Sequence, residues 1–181
     1  MSILILLIDT VGGLFVMAIL LRFLLQLVKA DFYNPISQAI VKITSPLLNP
    51  LRRIIPGVGG YDIASLVLAF IVQAIFVLLK LKALGYMAFP PGTVISLSLY
   101  FLVKALLDLY TFALIIMVIA SWVAPNSYNP GLMLLHQLTE PLCSRVRRVV
   151  PPIGGLDFSV MVVMLAIVII KGALPSLIPG M

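Results

Sequence analysis

Charge is what this chain lacks most. Only 10% of its 181 residues are Asp, Glu, Lys or Arg, and 62% are hydrophobic. Mean hydropathy is +1.23. A soluble domain of this length needs polar residues to cover its surface, so a water-soluble globule and a disordered chain are both excluded. Histidine and cysteine are nearly absent too, with His136 and Cys143 each the single residue of its type. One cysteine excludes an intramolecular disulfide and any multi-cysteine metal site. His136 has only Glu140 four residues on, which falls short of a metal-ligand set. Cys143 has no second histidine to activate it, and no nucleophile motif surrounds any serine. Gly57–Gly60 lacks the Lys and Ser/Thr of a phosphate loop. These absences argue against an enzyme, and no metal or cofactor is expected.

What is present is long apolar sequence. Runs such as Leu66–Leu79, apart from Gln73, and Met161–Ile170 are apolar on every side. A transmembrane β-barrel would need alternation instead, so the spans should be helices. At about 20 residues per crossing the chain has room for four or five. The expected spans cover about residues 2–28, 62–84, 93–123 and 158–178. No Lys or Arg precedes the first run, and no small-residue cleavage pattern follows it, so it reads as a retained span rather than a secretory signal.

A shift of 95 residues aligns the chain with itself without a gap. Tyr33-Asn34-Pro35 falls on Tyr128-Asn129-Pro130. Thr44, Pro46 and Leu47 fall on Thr139, Pro141 and Leu142. Arg52-Arg53 falls on Arg147-Arg148, Pro56 on Pro151, and Gly59-Gly60-x-Asp62 on Gly154-Gly155-x-Asp157. From Tyr33 to Asp62 about 12 of 30 positions are identical, among them Arg, Pro, Gly and Asp, which chance likeness of apolar segments would not match. The fold class expected is therefore an all-α membrane protein of four transmembrane helices in two tandem repeats. The first repeat covers residues 1–88 with an interfacial loop at 29–61. The second covers 93–181 with its loop at 124–157. Two spans per copy give both copies the same orientation.

Each loop is basic and amphipathic. Ile36, Ala39, Ile40 and Ile43 recur at helical spacing. Thr44-Ser45-Pro46 reads as a helix stop and a new start, with Thr44 as N-cap and Pro46 in the first turn. The second short helix, about 46–55, should turn Leu47, Leu48, Leu51 and Ile54-Ile55 to lipid and Arg52-Arg53 to headgroups. Loop 2 repeats the plan with Arg145, Arg147 and Arg148. Gly59-Gly60 and Gly154-Gly155 should turn the chain into the next span, where Asp62 and Asp157 cap the helix N-terminus. An ion pair between either Asp and the nearby arginines is the sharper alternative. The clustering of Arg22, Lys29, Lys42 and the loop arginines places both loops in the cytoplasm and both termini outside, against the pull of Lys80 and Lys82. Arg22 should reach the headgroups, and Gln73 should bond across helices.

The pattern Tyr-Asn-Pro, Thr-x-Pro-Leu, Arg-Arg-x-x-Pro, Gly-x-Asp, present twice, resembles the YggT (YlmG) family of small bacterial and plastid membrane proteins. Asp31-Phe32-Tyr33-Asn34-Pro35 is similar to the proteobacterial two-repeat form. The second copy departs from the first at Ser127 and Pro152. The resemblance implies a protein of the bacterial inner membrane. It also implies the family's associations with osmotic tolerance, with cell-division gene neighbourhoods, and with cofactor assembly or nucleoid organisation in plastids. It brings no catalytic residues.

Among the charges inside spans, Asp9, Lys104, Asp108 and Lys171 lie far from the loop ends. Charge within a bilayer is costly unless paired or hydrated. At 1.5 Å per residue, Asp9 and Lys104 both lie about 27–28 Å from the loop end of their spans, and Asp108 and Lys171 about 21 Å. One paired cluster at the far end is expected, either joining helices or lining a hydrated ion path through Asp108. The leading functional expectation is a non-enzymatic scaffold or assembly factor. Arg52, Arg53, Arg145, Arg147 and Arg148 would bind anionic lipid and a membrane or cytoplasmic protein, or a second copy of the chain. The competing class is an ion channel or transporter contributing to osmotic tolerance. Nucleic acid is not an expected partner, because the basic residues alternate with aliphatics and have no aromatic stacking platform.

Overall fold

The structure, a computed structural model, describes residues 3–57, 59–123, 128–151 and 157–177. The described residues form helices and no strand. In order these are α1 (Ile3–Leu27), α2 (Pro35–Ile54), α3 (Ile63–Ala83), α4 (Pro91–Val123), α5 (Pro130–Arg147), α6 (Ser159–Ala173) and a 3-10 turn at Leu174–Leu177. Four stretches are long and apolar enough to cross a membrane: Ile3–Leu27, Ile63–Ala83, Pro91–Val123 and Ser159–Ser176. The order is span, amphipathic helix, span, twice over.

Helix ends follow from local chemistry. Asn34 and Asn129 start the amphipathic helices. The Asn34 carboxamide oxygen accepts from the Ile36 N–H at 2.9 Å, and that of Asn129 from the Gly131 N–H at 2.8 Å. Pro35 and Pro130 then occupy the first turn, where a missing N–H is harmless. The repeated Tyr-Asn-Pro is thus a cap. α3 ends at Gly85, φ 88°, with Tyr86 N–H bonded to Leu81 C=O at 3.1 Å and Gly85 N–H to Lys82 C=O at 3.0 Å. That pairing is the left-handed glycine cap that satisfies orphan carbonyls. Span 4 is shorter in α-helix than the expected 158–178, because Pro175 has no N–H to donate and the chain tightens into a 3-10 turn.

α2 differs from the expected pair of short helices. It is one continuous helix through Pro46 and Pro50, and Thr44 is a fully buried mid-helix residue rather than an N-cap. Proline weakens the carbonyl ladder of the preceding turn. Here side chains brace that turn. Thr44 Oγ1 donates to Ile40 C=O at 2.7 Å, Ser45 Oγ to Val41 C=O at 2.6 Å, and Arg22 of α1 to the same Val41 C=O at 3.1 Å. Proline inside membrane-associated helices is tolerated on these terms. α5 likewise runs unbroken through Pro141, with Thr139 Oγ1 on Leu135 C=O at 2.9 Å.

The main core joins all three of the first spans. Val16, Ile19, Leu20 and Leu24 of α1 pack with Leu68, Ala69 and Val72 of α3 and with Leu109 and Ala113 of α4. Leu48 of α2 and Leu138 of α5 close that core at the loop end. Leu48, expected to face lipid, is therefore wholly buried. A smaller cluster of Leu114, Cys143, Val163 and Ile167 ties α4 to α5 and α6. The two copies meet where their loops begin. Asn34 donates to Pro130 C=O at 2.8 Å, Asp31 N–H to Gln137 Oε1 at 3.1 Å, and Leu134 packs on Leu25, Ala30 and Ile40.

Candidate functional site

Two polar assemblies interrupt this apolar bundle, one at each end. At the loop end the arginine pairs divide their work. Arg52 sits in the last turn of α2 and Asp62 directly before α3. Arg52 Nε donates to Asp62 Oδ1 at 3.3 Å, and Arg52 Nη2 forms an ion pair with Asp62 Oδ2 and reaches Gln26 of α1 at 3.3 Å. Asp62 also caps α3, accepting from the Ser65 N–H and hydroxyl. The turn that delivers it holds Gly59 at φ 62° and Gly60 at φ 84°, where glycine carries no strain. Burial alone would raise the Asp62 carboxyl, but the bonds from Arg52 and Ser65 outweigh it and hold the group below the ordinary carboxylate value.

The second copy repeats the pairing more loosely. Arg147 Nη2 lies 2.5 Å from Glu140 Oε2, and its Nε lies 3.2 Å from Asp157 Oδ2. Asp157 accepts from the Ser159 N–H at 2.8 Å, while the N-cap position itself is Phe158. Burial works to raise the Asp157 carboxyl, and Ser159 and Arg147 together bring it below the usual value. Gly154 and Gly155 lie outside the described residues. Arg53, Arg145 and Arg148 are exposed and make no ion pair among the described residues.

Around α2 the exposed face is itself divided. Ile36, Ile43, Leu47 and Ile54 form an exposed apolar stripe next to the buried side, and Gln38, Lys42, Asn49 and Arg53 form the polar stripe beyond it. Arg22 does not reach outward. It is 5% exposed, and Nη1 donates to Val41 C=O at 3.1 Å, Thr44 Oγ1 at 2.7 Å and Ser45 Oγ at 3.0 Å. Sequence reasoning missed this tie. The only sequence signal was an arginine five residues inside a span facing a Thr-Ser pair.

At the far end the four expected intramembrane charges form two groups, not one cluster. Asp9 pairs with Lys80, both carboxylate oxygens at 2.8 Å from Nζ. Asp108 pairs with Lys104 at 3.0 Å and with Lys171 of α6. Lys80, counted with the polar flank of its span, is thus Asp9's partner. Asp9, Lys80, Lys104 and Asp108 line one cavity of about 360 Å³ between α1, α3 and α4. Gly12 lets the helices close beside it, since a Cβ there would stand 2.6 Å from the Phe76 ring. Gln73 also lines the cavity, and its side chain makes no hydrogen bond among the described residues. No group of three or more His, Cys, Asp or Glu able to hold a metal occurs among the described residues.

Comparison with known proteins places this architecture. The CCB3/YggT family model matches residues 1–83 and again 96–178. An uncharacterized protein of Pseudomonas aeruginosa is 50% identical over 165 residues, 90% of this chain and 83% of the relative. One of Vibrio alginolyticus, from the proC 3' region, is 43% identical over 163 residues, 89% of this chain and 87% of the relative. The uncharacterized protein YggT of Escherichia coli K12 is 39% identical over 165 residues, 91% of this chain and 85% of the relative. No solved structure matches significantly. None of these three relatives carries the name of an enzyme.

Proposed function

The chain belongs to the CCB3/YggT family, and on that premise we propose that it is a non-enzymatic docking platform of the inner membrane. Its loop end faces the cytoplasm, holds anionic headgroups and presents a patterned surface to a protein partner. The observation that carries this reading is the division within each arginine pair. Arg52 and Arg147 are held by Asp62 and Asp157, which stiffens the loop against the bundle. Arg53 and Arg148, with Arg145, are exposed and have no ion-pair partner among the described residues. A connection that only joined two spans would need neither the lock nor the free cations. The apolar stripe of α2 supports an interfacial seat, with Lys42 and Arg53 on the polar side. Attraction to anionic lipid adds about 1 kcal/mol per basic residue near the surface. The same cations support a cytoplasmic loop end, by the positive-inside rule.

The test is in-membrane crosslinking and affinity purification with Arg53, Arg145 and Arg148 changed to Glu. A partner recovered with the wild type and lost from this variant supports the platform. Unchanged recovery of every crosslinked species sinks it.

The charged far-end cavity favours a second reading, a channel or transporter contributing to osmotic tolerance. Against it stands the loop-side half of the bundle, where Leu20, Leu24, Leu48 and Leu68 pack into one apolar core. Ion flux in proteoliposomes that disappears in Asp108→Asn would favour this reading over the platform.

A further inference from the structure

The charges paired with one another at the far end do not cancel. Lys80, Lys104 and Lys171 stand against Asp9 and Asp108, three positive and two negative, a sum of +1. Asp9 is satisfied by Lys80 alone, which it meets with both oxygens. Asp108 is shared by two lysines. Lys171 approaches it from α6, outside the cavity, whereas Lys104 lies on the cavity wall and is the most exposed of the five side chains at 46%. Lys104 shares Asp108 with Lys171, is the more exposed of the two lysines and lies on the cavity wall, so it is the incompletely compensated cation there. A cation that shares its only carboxylate among the described residues with a second lysine, in an apolar bundle, favours a further counter-ion.

Two further features mark the cavity as a place for a ligand. The Gln73 amide lines it, half-buried in the middle of α3, with no hydrogen-bond partner among the described residues. Polar groups inside spans are otherwise found paired. Gly13 leaves the α1 wall bare, with nothing within 4 Å of the position a Cβ would take. The volume of about 360 Å³ is within the usual range of small-molecule sites, about 300–1,000 Å³.

We propose that the far-end cavity between α1, α3 and α4 binds a phosphate oxyanion, with Lys104 as its counter-charge and Gln73 as a donor deeper in the cavity. A phosphodiester neutralises the surplus charge, since it carries a single negative charge. Ile8, Met17 and Phe101 supply apolar wall beside the charges, so a phospholipid headgroup and free inorganic phosphate are the two sources of this chemistry. The site lies at the opposite end of the bundle from the free arginines and does not depend on their role.

The experiment uses the full chain in detergent. One arm measures retention of added phosphatidylglycerol by native mass spectrometry. The other measures the rise in melting temperature with inorganic phosphate. Wild type should bind in at least one arm. Retention of the lipid identifies a headgroup site, and a response to phosphate alone identifies a free-anion site. Lys104→Gln should weaken binding about tenfold or more, while Lys104→Arg keeps it. Asp108→Asn raises the sum to +2 and should not weaken binding. Lys82→Gln, at the same end of α3 but away from the cavity, serves as the control. Should Lys104→Gln fail to fold, Gln73→Leu, an apolar change suited to a span, must weaken binding instead. Absence of binding in both arms, or equal binding by wild type and Lys104→Gln, overturns the proposal and leaves Lys104 as a lysine that only extends toward the interface.

Discussion

Removing Arg52 leaves the Asp62 carboxylate, 4% exposed, with Ser65 as its remaining partner. Breaking a fully buried ion pair costs about 3–5 kcal/mol; Arg52 is about one-third exposed, so solvent screening brings the expected loss to about 1–3 kcal/mol. Arg53 is exposed and makes no such bond among the described residues, so Arg53→Gln should change stability by less than about 0.5 kcal/mol. Denaturant titration in micelles distinguishes the two, and equal losses would mean that the pairing does not hold the loop. The same carboxylate gives a pH dependence of known sign. Its folded-state pKa is depressed, so its contribution is complete above the unfolded value of about 3.9 and is lost as pH falls through the lower folded value. Wild-type stability from this group should thus be flat from neutral pH to about pH 5 and decline at more acidic pH. Arg52→Gln should show a shallower acid decline, because it has less of that contribution to lose.

At the scale of elements, local rules read some helices well and misread others for a physical reason. The spans were legible because their apolar runs are long, and the i,i+4 pair Lys104–Asp108 was legible because helical spacing alone brings it together. The partner of Asp9 was not legible, since Lys80 is 71 residues away and only the packing of α1 on α3 joins them. Thr44-Ser45-Pro46 reads as a helix break because proline locally is one. The helix continues because Arg22, from a different element, and two hydroxyls hold the carbonyls of the preceding turn. The glycine turn before α3 was readable from Gly59-Gly60. The end of α1 was not, because the residue with left-handed geometry there is Lys29, at φ 52°. Its N–H bonds Gln26 C=O at 3.1 Å, and the Ala30 N–H bonds Leu25 C=O at 2.8 Å, the same cap that Gly85 makes for α3. A side chain with a Cβ is strained in that region. Lys29→Gly should therefore stabilise the protein by about 0.5–1 kcal/mol, the strain relieved less the extra entropy of glycine. A lower melting temperature for Lys29→Gly would show that the lysine side chain contributes more than its backbone strain costs.

At the scale of the molecule, duplication of a two-span unit dictates that both amphipathic helices end on one side. α2 and α5 meet through Asn34 and Pro130, and each is followed by the same Arg-to-Asp pairing. α4 is about 50 Å long at 1.5 Å per residue, more than the roughly 30 Å of a hydrocarbon core. It therefore tilts or projects, and its N-terminal part lies beyond the charged cavity at the end away from the loops. Cysteine labelling in intact cells reads this arrangement directly. The native thiol needs no removal: Cys143 is 3% exposed, and burial pushes its pKa up, so the folded wild type should resist a membrane-impermeant maleimide. Arg53→Cys and Arg148→Cys should share one side, labelled only after the inner membrane is permeabilised. Lys82→Cys, at the other end of α3, should label without permeabilisation. Labelling of Arg53→Cys and Arg148→Cys from opposite sides would require an inverted repeat, which two spans per copy cannot produce. Labelling of both without permeabilisation would keep the parallel repeat but turn the free arginines outward, away from any cytoplasmic partner.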